Sequence, residues 1–167
     1  MEGLGTTVDI DGLPETRALL RQLQPELLKR LDSRIGGVAK ELMGNASASF
    51  SATGASSSGA YVIKSRTSVS SVSRSVMTAP GSVPKGQKWS SEPGVLASIF
   101  EFANKVDKAK PANRKRVESL IATLNSRYGS PGRFLWDSWD SMKDSAHREV
   151  AAAVAEAEAS LSARLKG

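Results

Sequence analysis

An α+β fold, with a small antiparallel sheet or long hairpin packed against N-terminal helices and a long C-terminal helix, follows from three features of this 167-residue sequence. Apolar residues recur every three or four positions toward both ends, the centre is rich in Val, Ile, Thr and Ser, and Pro and Gly punctuate the change between the two patterns. The length suits a single domain of ordinary size, able to hold a core without metal or disulfide staples.

Residues 12–43 carry the N-terminal helices. Pro25 breaks them into a short first helix and a longer second one, because proline is tolerated in a first turn, where its missing N–H costs nothing. Leu28, Leu31, Ile35, Val38 and Leu42 alternate spacings of three and four and draw one apolar stripe that needs a partner. Gly36 and Gly37 lie within it, either as a tolerated loss of helix propensity or as the site of a close crossing or kink. Residues 44–59, GNASASFSATGASSSG, contain Phe50 as the only large side chain. So little apolar area cannot offset the entropy of ordering, and a mobile loop is expected. Residues 60–103 then read as strands, with a turn cluster at APGSVPKGQ and a further run opened by Trp89. Val69, Val72 and Val76 are also compatible with a helix face. Residues 111–128 form a basic helix, started by Pro111 and closed by Gly129, with Val117, Leu120, Ile121 and Leu124 on one face. Residues 134–165 form a long amphipathic helix through Leu135, Trp139, Met142, Ala146, Val150, Ala153 or Val154, Ala157, Leu161 and Leu165.

The formal charge of +6 is localised. Lys105, Lys108, Lys110, Arg114, Lys115, Arg116, Arg127 and Arg133 face only Asp107 and Glu118 within their segment, and the rest of the chain is balanced. Such a stripe is either a solvated helix face or a contact for phosphate or an acidic partner, with Lys105, Lys108, Lys110, Arg114, Lys115 and Arg116 as the candidate residues. The absence of cysteine excludes disulfides and thiolate metal sites, and the single histidine, His147, excludes multi-histidine ones. Asp137, Asp140 and Asp144 fall on one helix face, where the helix macrodipole accounts for them more simply than a metal does. No nucleophile motif or Gly-rich phosphate loop is present, so no enzyme, metal or cofactor is expected. Neither a membrane span nor a signal peptide is apparent, and a soluble, unexported protein is expected.

Residues 127–154, RYGSPGRFLWDSWDSMKDSAHREVAAAV, concentrate aromatic surface behind a Gly-Ser-Pro-Gly turn. Together with IFEFAN at residues 99–104, they resemble the neck or tail-completion family of long-tailed bacteriophages and their prophages, particularly the versions from actinobacteriophages. Ile99, Phe100, Glu101 and Phe102 match a strand of that family, and Phe134, Leu135 and Trp136 match its turn into the last helix. Ala103 stands where glycine is common, and Gly132 and Arg133 separate Pro131 from Phe134. The resemblance implies a structural virion protein at the head–tail junction, free in the host cytoplasm before assembly. It further implies a homo-oligomeric ring, six-fold in preference to twelve-fold, between a connector or stopper protein of the head and a tail terminator or tail-tube protein. The genomic DNA would pass through it, and no membrane is involved. Phe134, Leu135, Trp136 and Trp139 serve either to anchor the last helix to the strands or, through one tryptophan, to plug a neighbouring subunit. Phe134, Leu135, Trp136 and Phe50 are accordingly the candidate interface residues. The alternative function is nucleic-acid binding through residues 105–116.

Overall fold

A computed structural model describes residues 13–67, 72–79, 93–104 and 110–165. Along the chain these form α1 (Leu13–Leu23), α2 (Pro25–Ser51), β1 (Tyr61–Thr67), β2 (Val72–Thr78), α3 (Pro93–Phe102), α4 (Arg114–Tyr128) and α5 (Leu135–Leu165). A single 3-10 turn, Pro111–Asn113, leads into α4. The two strands pair as an antiparallel ribbon, so the fold is α+β with a long C-terminal helix.

Two compact units divide the chain, one drawn from Met1–Gly44, Ile63–Met77 and Trp139–Gly167, the other from Asn45–Val62 and Thr78–Ser138. In the first, α1 ends where Pro25 denies its predecessor helical geometry. The backbone of Gln24 stays paired across the break: its N–H donates to Leu20 O at 2.8 Å while its carbonyl accepts from Leu27 N–H at 3.1 Å. Leu20, Leu31, Ala153, Val154 and Ala157 form the core there, with Leu27, Leu28 and Ile35 packed against it. Leu20 and Leu31 are 0% and 1% exposed, and each contributes roughly 1.5–3 kcal/mol by leaving water. Arg17 is buried beside this core and paired with Asp32. The expected stripe of α5 is buried at Met142, Ala146, Val150, Ala153, Val154, Ala157 and Leu161. Among the described side chains of the stripe Trp139 is the exception, half-buried with its ring 6.3 Å from that of His147. Around Gly36 and Gly37 a β-carbon would meet nothing within 4 Å among the described residues, so no described segment crosses closely there and they are tolerated helix glycines.

The second unit corrects two expectations. Residues 44–51 are helix rather than mobile loop, and only residues 52–60 turn. Ala and Ser are compatible with helix, and Leu42, Ala46 and Phe50 continue the stripe of α2 at intervals of four. Ala46 and Phe50 are both 0% exposed. One large side chain suffices because it lands among rings: Phe50 lies 6.1 Å from Tyr61, 5.6 Å from Phe100 and 5.8 Å from Phe134, all edge-on. Tyr128 closes the cluster at 5.8 Å from Phe100 and 5.7 Å from Phe134. Residues 93–102, expected as strand, are α3. Their Val, Ile and Phe content favours strand, but Pro93 begins a helix whose buried Gly94, Ala97 and Glu101 recur at three and four. The turn and Trp89 expected within residues 80–92 lie outside the described residues.

Candidate functional site

Glu101 is the singular residue of the second unit: a carboxylate 0% exposed, set between two phenylalanines in an apolar run. Its Oε1 accepts from the Tyr61 hydroxyl at 2.8 Å and from the Leu135 N–H at 3.0 Å, and its Oε2 accepts from the Phe134 N–H at 3.2 Å. These two N–H groups open α5, one on the residue just before it and one on its first residue, where a helix has unsatisfied donors and a partial positive charge. A residue of α3 therefore caps α5. Burial pushes the Glu101 carboxyl above the ordinary carboxylate range, opposed by the Tyr61 hydroxyl, the two N–H groups and the Arg133 charge. The Tyr61 phenol is pushed up by burial and then by the carboxylate beside it, so it remains a hydrogen-bond donor.

Arg133 completes the joint from the other side. Its Nε donates to Gly129 O at 2.9 Å, its Nη1 to Phe100 O at 2.6 Å and Glu101 O at 3.2 Å, and its Nη2 to Ala103 O at 3.2 Å and Asn125 Oδ1 at 2.5 Å. All five donors of the guanidinium are used. Three of the acceptors are carbonyls at the end of α3, and the other two lie at the end of α4, the negative ends of both helices. Burial lowers the Arg133 pKa while the Glu101 charge raises it, and the guanidinium keeps its charge. Arg133 is thus 2% exposed and leaves the basic stripe in which the sequence placed it.

The turn makes this possible. Gly129 and Gly132 adopt φ of +78° and +92°, conformations that side chains with a β-carbon rarely take. The Gly132 N–H donates to Glu101 O at 2.6 Å, and a β-carbon on Gly132 would come within 1.8 Å of Trp136 Cδ1. Trp136 therefore lies over this turn, half-buried.

These positions correct the interface expectation for three of its four residues. Phe50, Phe134 and Leu135 are 0%, 5% and 8% exposed, their surface taken up by the aromatic cluster and the α5 cap; Trp136 alone keeps partial exposure. Of the cationic candidates, Lys110, Arg114, Lys115 and Arg116 are exposed on and before α4. None of the four enters an ion pair with the described residues. Lys105 and Lys108 lie outside the described residues. No group of three His, Cys, Asp or Glu among the described residues could hold a metal, and no described helix is long and apolar enough to cross a membrane. Glu101 and Arg133 were missed as partners. The signals for them were a carboxylate inside the apolar run IFEF and an arginine wedged between Gly132 and Phe134.

No family model, curated protein or solved structure matches this chain. Fold and site together define a small α+β protein with a locked helix junction and an exposed cationic helix.

Proposed function

We propose that this chain is a structural subunit of the head–tail junction of a long-tailed bacteriophage, closing as a ring between the connector of the head and the tail tube. The observation that carries the reading is the joint itself. The two stretches that resemble the neck family, residues 99–104 and 127–154, are separate in sequence but are tied together by Glu101, Arg133, Phe134 and Leu135. The strand resemblance at residues 99–102 falls on a helix, so the support rests on this pairing and on the turn into α5. A joint whose buried polar groups are hydrogen-bonded and whose glycines take a backbone conformation that other residues rarely adopt suits a part that transmits load, since satisfied buried networks rigidify what they connect.

The reading is tested by complementation in vitro. In a lysate made without this chain, filled heads and finished tails accumulate apart, and the purified chain joins them into virions. Normal virions formed without the chain overturn it. A second reading, nucleic-acid binding, is favoured by the exposed Lys110, Arg114, Lys115 and Arg116, which enter no ion pair among the described residues. The two are compatible, since such a ring surrounds the path of the genome.

A further inference from the structure

We propose that the exposed face of α4 docks a second copy of this chain, and that the surface it meets there is the acidic N-terminal stretch of α5. Among its own residues α4 buries Leu124 alone. Arg116, Leu120 and Arg127 share one exposed row, at intervals of four and seven. Leu120 is 43% exposed, an apolar centre flanked by cations. The first turn of α4 holds no acidic residue. Arg114, Lys115 and Arg116 instead crowd the positive end of the helix dipole, an arrangement unfavourable within the chain and relieved by an anionic surface.

The chain itself carries such a surface. Asp137, Asp140 and Asp144 are exposed at intervals of three and four along α5, beside the half-buried Trp136. Asp140 is paired with Lys143 at 2.9 Å and the charge of Asp144 also acts on that lysine, though not in contact with it, whereas Asp137 enters no ion pair with the described residues. The two helix faces are therefore complementary in charge, and each offers one large apolar side chain, Leu120 or Trp136, for the centre of a helix–helix contact. Two unlike surfaces on every copy give a heterologous contact, which propagates until it closes. Duplex DNA would neutralise the cations but would leave Leu120 without an apolar partner and the aspartates repelled, so a second copy is the better fit. The inference takes its biological setting from the ring reading above.

Sedimentation velocity of the full chain tests it through charge reversal at exposed positions. Wild type associates at low salt and dissociates as salt rises. Arg116→Glu with Arg127→Glu, both on the exposed row beside Leu120, and separately Asp137→Lys with Asp144→Lys, each weaken self-association by roughly tenfold or more. A mixture of the two variants associates, and so does the chain carrying all four substitutions, because complementarity is restored. Three results overturn the inference: a wild type that stays monomeric at every salt concentration, a reversal without effect, or a fourfold variant that stays apart. Loss of binding to a labelled DNA duplex in Arg116→Glu/Arg127→Glu, with self-association intact, assigns the face to nucleic acid and overturns it too. If heads and tails still join while both reversals are silent, this pairing fails and the junction reading stands. If the chain self-associates as described but joins nothing, the junction reading fails alone.

Discussion

Glu101 decides whether α3 and α5 stay joined. Replacing it with Ala strands the Tyr61 hydroxyl and the N–H groups of Phe134 and Leu135 inside the protein. At about 1–3 kcal/mol for each buried group left unsatisfied, we expect a loss of roughly 3 kcal/mol or more in urea titration. Glu101→Gln keeps an acceptor and should cost less. The carboxyl is raised in the folded state, so between its ordinary and its raised value the folded protein binds more protons than the unfolded one. The stability it contributes is then fully present below the ordinary carboxylate range and is lost as pH rises through that window. The stability difference between wild type and Glu101→Gln should therefore shrink with rising pH across that window; a difference that grows would reverse the sign. Gly132→Ala meets both a positive φ and the Trp136 ring. The strain of about 1–2 kcal/mol and overpacking of about 1–3 kcal/mol should sum to roughly 2–5 kcal/mol in the same titration.

At the scale of elements, α2 carries a cost that it does not need. Gly36 is helical with open space around its missing β-carbon, so Gly36→Ala should stabilise the protein by about 0.5–1 kcal/mol. A rise in denaturation midpoint at unchanged slope checks this; a fall would mean that the helix needs its glycine. The contrast with Gly132 is one of backbone: the same substitution helps where φ is helical and harms where it is positive. At the ends of α3 and α4 a single residue serves two elements, since one guanidinium satisfies carbonyls from both and sits at the negative end of each dipole. Lysine has three donors on a point charge and cannot reproduce that fork.

For the whole molecule, charge is the property with the widest reach. The net +6 originates in one segment, and burial of Arg133 concentrates what remains of the described excess on and before α4. We expect weak, sequence-independent binding to DNA. Replacing Arg114, Lys115 and Arg116 with Gln should flatten its dependence on log salt by roughly 0.9 for each phosphate that is no longer neutralised. A tight, sequence-selective complex at physiological salt would instead place nucleic-acid recognition ahead of assembly.

Periodicity alone sufficed for α1, α4 and α5, for α2 as far as Met43, and for the break at Pro25, because stripe spacing and proline geometry act within a few residues. The turn through Gly129 and Gly132 was legible for the same reason. Local composition misled where a distant partner decided the outcome. Residues 44–51 look too poor in apolar side chains to order, yet Phe50 finds rings contributed by Tyr61, Phe100 and Phe134. The β-forming residues of 93–102 look like strand, yet a helix brings Glu101 to the N–H groups of α5. Sequence determined where helices could form and where the chain had to bend. Only the tertiary structure decided which polar groups meet, because a buried carboxylate or guanidinium is tolerable only when donors and acceptors converge on it, and most of those around Glu101 and Arg133 come from 30 or more residues away.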